Sequence, residues 1–220
     1  MEVLLAALLV NADQVVSVEQ LHTEIWQDGG PRRASATLQV YISQLRKFLR
    51  AAGHGGNPIL KRPCGYLLAV GADQLDVRVF TRLLREGRAH AREARYEAAR
   101  AAFQTALSLQ RGPVAGELSC GPIVNQLRAW FAEALVECNE ALIDAELALG
   151  CHRETVGRLY CLTAQHPYNE TFYGQLMRAL FHCGRRADAL TVYRSAGSRL
   201  MIDLGVEPSR GLREIHESIL

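Results

Sequence analysis

Two neighbouring stretches decide the fold: LQVYISQLRKFL at residues 38–49 and ILKRPCGYLL at residues 59–68. In the first, Leu38, Ile42, Leu45 and Leu49 recur at helical spacing and form one apolar stripe. The helix that carries them is expected from about Ala34 to Arg50. On its opposite face stand Ala36, Val40, Ser43, Gln44 and Lys47, flanked by Thr37 and Arg50. That face is small, polar or basic and holds no carboxylate. Short side chains permit close approach to a groove, while amides and cations suit base edges and phosphates. The second stretch reads as two short strands around a tight turn, with Pro63 and Gly65 as turn residues. Lys61 and Arg62 stand next to the bend.

Working outward, Val3–Val10 is apolar enough to suggest a signal segment, yet it follows Met1-Glu2 without a basic lead. It is also far shorter than a membrane span, so a buried helix over 2–10 is expected. A turn follows at Asn11-Ala12-Asp13. Ser17-Val18-Glu19-Gln20 has the form of a capping box, and Leu21, Ile25 and Trp26 share one face of the helix behind it. Gln27 to Pro31 ends that helix. Helix, turn, helix and basic hairpin is the order of a winged helix-turn-helix.

The charge pattern points the same way. The 220-residue chain has a net charge of only +2. Residues 1–30 carry five acids and no Lys or Arg, whereas residues 31–62 carry seven bases and no acid. The remaining residues balance at 18 bases and 18 acids. An ordinary solvated helix face mixes both signs; this block does not.

Residues 4–70 resemble the DNA-binding domain of OmpR-type response regulators, through the helix text LQVYISQLRKFL and the hairpin text ILKRPCGYLL. The resemblance implies that the third helix enters the major groove and a wing arginine reaches the minor groove. By position it assigns Thr37, Val40, Ser43, Gln44 and Lys47 to the major groove, Arg46 to a phosphate and Arg62 to the wing. Arg33, Arg50 and Lys61 complete the candidate DNA-binding set. It also implies that the loop Gln27, Asp28, Gly29, Gly30 and Pro31 contacts RNA polymerase. The chain departs from the pattern in two places. Gln44 stands where many relatives carry arginine, and Met1 falls at the first helix, so the usual N-terminal sheet is expected to be missing. A fragment, a misassigned start and a regulator lacking the sheet are equally compatible with that beginning.

From Asp73 the chain reads as helical almost to its end, with an internal repeat. Gly150, His152, Thr155, Leu159 and Leu162 recur 34 residues later as Gly184, Arg186, Ala189, Tyr193 and Ala196. Ala94, Tyr96, Ala99, Phe103 and Ala106 repeat the same internal spacing. A turn glycine, a small residue and an aromatic at this period are the tetratricopeptide signature. Residues 123–149, with Leu127, Phe131, Leu135, Cys138, Leu142 and Ala145 in one stripe, supply the first helix of the middle repeat. Such pairs stack into curved surfaces that bind proteins. The text HPYNETFYGQLMRALFHCGRRADALTVYRSAGSRLMIDLGVEP, residues 166–208, resembles the bacterial transcriptional activation domain of the Streptomyces antibiotic regulatory protein (SARP) family.

Other chemistry finds no support. Six cysteines form no C-x-x-C pair and mostly sit among apolar neighbours, as reduced core thiols of a cytoplasmic protein would. Seven histidines make no metal-binding motif. Cys151-His152 and His182-Cys183 are adjacent pairs, which diverge on a helix and do not chelate. Glu133, Glu137, Glu140, Asp144 and Glu146 are read as the solvated face of one helix. No phosphate-binding loop, nucleophile elbow or catalytic residue set is present, so neither an enzyme nor a cofactor is expected.

The expected fold is mainly α: a winged helix-turn-helix at 1–72, without its N-terminal sheet, then a tetratricopeptide-like α-α superhelix at 73–220. The expected function is sequence-specific activation of specialised-metabolite genes, antibiotic clusters above all. The regulator would be a homodimer on promoter direct repeats of double-stranded DNA, recruiting RNA polymerase without membrane contact. The competing reading is a tetratricopeptide interaction module whose DNA-binding half is truncated and inactive.

Overall fold

The computed structural model describes residues 1–27, 29–52, 58–71, 75–116 and 118–220. Asp28, residues 53–57 and the 72/73 domain cut lie outside the described residues. The chain divides into two compact units: Met1–Thr81 with Ser108–Leu135, and Arg82–Leu107 with Val136–Leu220.

In the first unit, helix α1 (Glu2–Val10) buries Leu4, Ala7 and Leu8. Strand β1 (Val15–Ser17) leads directly into α2 (Val18–Trp26), and α3 (Ala34–Ala51) follows. Strands β2 (Ile59–Arg62) and β3 (Gly65–Leu68) form the hairpin. The expected capping box is present: Ser17 Oγ accepts from the Gln20 amide at 3.1 Å, and Gln20 Oε1 accepts from the Ser17 amide at 2.9 Å. Leu38, Ile42 and Leu45 are buried against α1, α2 and the sheet, and burial stabilises each by about 1.5–3 kcal/mol. Trp26 stacks on Tyr41 with ring centroids 6.1 Å apart, joining α2 to α3.

The sheet corrects two sequence expectations. It is three-stranded in the order β1-β3-β2, whereas the sequence reading has only the two strands of the hairpin. The register pairs Val15 with Leu67, Val16 with Tyr66 and Ser17 with Gly65. The turn residues are Pro63 and Cys64, while Gly65 belongs to β3. A Cβ at Gly65 would come 1.9 Å from the Val16 carbonyl oxygen, so only glycine lets β1 approach.

Helix α4 (Asp76–Arg92) begins in the first unit and α6 (Pro122–Ala148) starts there too. Phe80 of α4 packs edge-on against Phe131 of α6, ring centroids 4.9 Å apart. The Glu24 carboxylate, on a residue only 1% exposed, accepts from the Ile123 amide at 2.7 Å and the Val124 amide at 3.2 Å. These amides belong to the first turn of α6, which lacks a side-chain cap of its own at Gly121.

The second unit contains the rest of α4 and α6 with α5 (Tyr96–Ser108), α7 (His152–Gln165), α8 (Glu170–His182), α9 (Arg186–Leu204) and α10 (Arg210–Ile219). The repeat is visible in its turns. Ala94, Gly150 and Gly184 all have positive φ, at 56°, 80° and 75°. Behind each, the next residue's amide bonds back five positions at 2.9 Å: Arg95 to His90, Cys151 to Glu146 and Arg185 to Leu180. This is a helix-ending bond made three times. Ala99, Phe103 and Ala106 are buried, as are Thr155, Leu159 and Leu162, and Ala189 and Ala196.

Two further expectations are corrected here. Glu146 does not belong to a solvated face: it is 5% exposed and paired with Arg158 at 3.0 Å. The cysteines are less uniformly internal than expected, because Cys64 and Cys161 are exposed. Cys120 and Cys138 are buried, and burial pushes the Cys138 thiol up to about 12.

Candidate nucleic-acid interface

The candidate interface is built on α3 and the hairpin of the first unit. With the α3 stripe in the core, the opposite face must turn outward, and Ala36, Ser43, Gln44, Lys47 and Arg50 are all exposed. Val40 is 53% exposed, an apolar residue left in water at the centre of that face. Ser43, Gln44, Lys47 and Arg50 together line one shallow depression. Such a surface offers a hydroxyl, an amide and two cations at neighbouring positions.

Thr37 and Arg46 are placed differently. Thr37 is half-buried, and its hydroxyl donates to the Arg33 carbonyl at 3.3 Å. Arg46 is also half-buried, with Nε and Nη2 donating to the Ile59 carbonyl at 3.1 and 2.8 Å. That fork fastens α3 to the first residue of β2, so Arg46 sets the angle between recognition helix and wing. Arg50 Nε donates in turn to the Arg46 carbonyl at 3.3 Å.

On the wing, Lys61 and Arg62 are exposed and lie across the ladder from Tyr66 and Gly65. Tyr66 turns inward and is buried, so its partner Lys61 has a rigid base. Arg33 is exposed at the start of α3, which has no acid in its first turn. Gln27, Gly29, Gly30 and Pro31 are exposed after α2, where Gln27 takes a positive φ of 50°. The structure therefore brings Val40, Ser43, Gln44 and Lys47 of the major-groove candidates onto one exposed face, and keeps the wing cations on a strand tied to the same helix.

Sequence reasoning missed Phe48, which is 56% exposed beside that face. Its position one turn beyond Gln44 was a usable signal. Glu24 was missed as well; a single acid on an amphipathic helix carries no signal of its remote partners. Among the described residues, no group of three or more His, Cys, Asp or Glu side chains could hold a metal ion. No described helix is long and apolar enough to cross a membrane.

Comparison with known proteins adds a second line of observation. Residues 3–68 match the family model "Transcriptional regulatory protein, C terminal", and residues 75–220 match "Bacterial transcriptional activator domain". The regulatory protein DnrI of Streptomyces peucetius is 35% identical over 219 residues, covering 97% of this chain and 80% of DnrI. The transcriptional regulatory protein EmbR of Mycobacterium tuberculosis is 34% identical over 217 residues, covering 98% of this chain and 56% of EmbR. The regulatory protein AfsR of Streptomyces griseus is 32% identical over 220 residues, covering 99% of this chain and 22% of AfsR. The solved structure of Mycobacterium tuberculosis EmbR in complex with a low-affinity phosphopeptide superposes with a TM-score of 0.94 at 32% identity. That match covers 99% of this chain and 57% of the EmbR chain, so the present chain spans little more than half of EmbR.

Proposed function

The chain belongs to the SARP family of transcriptional regulators, and from that premise we propose that it reads promoter DNA through α3 and the wing. The observation that carries the reading is the exposed α3 face, joined by the Arg46 fork to a wing bearing Lys61 and Arg62. Lys47, Arg50, Lys61, Arg62 and Arg33 supply phosphate contacts and affinity; Val40, Ser43 and Gln44 supply sequence choice. Residues 1–72 act as the DNA-reading domain and 73–220 as the activation domain, a division supported by the residues that the two family models match.

The regulator binds direct repeats as a homodimer, and its Gln27–Pro31 loop meets RNA polymerase. It activates specialised-metabolite genes in the cytoplasm and performs no catalysis; its relatives are named as regulators. An α3 face with its outward residues free of internal burial favours this over an interaction module with an inactive DNA-binding half.

Promoter binding by the full chain, followed by gel shift across a salt series, tests the proposal. Lys47→Ala and Arg62→Ala are each expected to weaken binding by about 1–3 kcal/mol, roughly five- to 150-fold, with helical content unchanged. Parental affinity in both variants would remove α3 and the wing from the interface.

A further inference from the structure

The side chains along the outer face of α3 differ in what they can still bind. Thr37 has its hydroxyl committed to the Arg33 carbonyl, and Arg46 has its fork committed to the Ile59 carbonyl. Arg50, in the last turn, leans back on the Arg46 carbonyl. Val40 and Gln44 stand uncommitted in the middle of the helix. Both are exposed, and among the described residues the Gln44 amide has no hydrogen-bond partner. Four residues apart, they point within about 40° of one another, with Cβ atoms about 5–6 Å apart.

The two side chains ask for different atoms. A glutamine amide offers an acceptor, Oε1, beside a donor, Nε2. In the major groove only adenine presents the complement side by side, with N6–H as donor and N7 as acceptor. Guanine presents two acceptors there, N7 and O6, which would set Oε1 against a lone pair. Cytosine N4 and thymine O4 each satisfy one end of the amide and leave the other unpaired. Asp and Glu, the side chains that accept from cytosine N4, are absent from α3. Val40 has no polar atom to offer, and the one apolar group on a base edge in this groove is the C5-methyl of thymine. At 53% exposure, Val40 has surface left to bury against it.

We propose, on the premise that α3 reads promoter DNA, that Gln44 reads an adenine and Val40 the methyl group of a thymine one or two base steps away. Oε1 accepts from adenine N6 while Nε2 donates to N7, a bidentate pair. Successive bases lie about 3.4 Å apart along a strand, so Cβ atoms about 5–6 Å apart span one to two steps. The middle of α3 thus selects A·T pairs, while Lys47 and Arg50 further along it supply charge to the phosphates.

Selection from a pool of randomised duplexes by the full chain tests this, with the enriched duplex then used as the gel-shift probe. Replacing single adenines by 7-deazaadenine removes the N7 acceptor alone, and at one adenine it is expected to weaken binding at least about fivefold. Replacing single thymines by uracil removes the methyl alone. At one thymine within two steps of that adenine the expected loss is about fourfold, the burial of a single carbon. Gln44→Ala is expected to abolish the first effect and keep the second, and Val40→Ala to do the reverse. Gln44→Arg, put through the same selection, is expected to exchange A·T for G·C at that one pair, since arginine bonds both guanine acceptors. If no duplex is enriched by the parental chain, the promoter reading itself fails and takes this assignment with it. If a site is enriched, three results each overturn the assignment alone. They are indifference to 7-deazaadenine at every adenine, indifference to uracil at every thymine, and an unchanged site for Gln44→Arg.

Discussion

Glu24 shows how much one side chain can hold. Its carboxylate stands in for the missing N-cap of α6, accepting two first-turn amides while the helix dipole favours its negative charge. Gly121 is required at the same place, because a Cβ there would come 2.6 Å from the Glu24 Cα. Glu24→Ala leaves the buried Val124 amide and the half-buried Ile123 amide unpaired, and a buried group left unsatisfied costs about 1–3 kcal/mol. The expected loss is on the order of 2–4 kcal/mol, seen as a lower urea midpoint with unchanged slope; Glu24→Gln, which keeps one acceptor, should fall between. A midpoint equal to the parent would show that water serves those amides equally well. None of this was legible in the text, since the bond joins residues about a hundred positions apart and spacing rules reach only a few. Glu146 escaped for the same reason: its partner Arg158 lies on the next helix.

At the level of elements, legibility followed local signal strength. The α3 stripe, the capping box and the 34-residue repeat each combine several residues, and each formed where expected. The repeat even placed Ala94 at the left-handed turn position that glycine occupies in the other two units. Strand β1 was invisible because three residues, Val15–Ser17, cannot display an alternation; its existence is owed to β3. Gly65 joins the two, so the wing can be tested there. Gly65→Ala drives a methyl group into the Val16 carbonyl, with backbone on both sides. We expect a loss of about 2 kcal/mol or more, beyond ordinary surface substitutions. Promoter affinity should fall with it, since β3 carries the strand bearing Lys61 and Arg62. A Gly65→Ala protein with parental melting temperature and affinity would show that the wing does not need β1.

For the whole molecule, the question is where the DNA-reading domain ends. The sequence resemblance places its end near residue 72, yet the compact unit that contains it also takes up Leu75–Thr81 and Ser108–Leu135. The core beneath α3 is drawn almost entirely from residues 4–70, with Ile123 of α6 packed against it. A fragment of residues 1–72 therefore retains the means to fold, but loses Ile123 and exposes Glu24 without its amides. Trp26, two residues from Glu24, reports on this if Trp130→Phe leaves it the sole indole of the full chain. In urea, the Trp26 transition of the fragment should come earlier than that of the full chain by on the order of 1 M, for a domain of this size. The fragment should still bind promoter DNA at low denaturant, because α3 and the wing are intact within it. Equal midpoints would mean that residues 108–135 lend the DNA-reading core no stability. The junction would then lie at 72/73 energetically as well as in sequence.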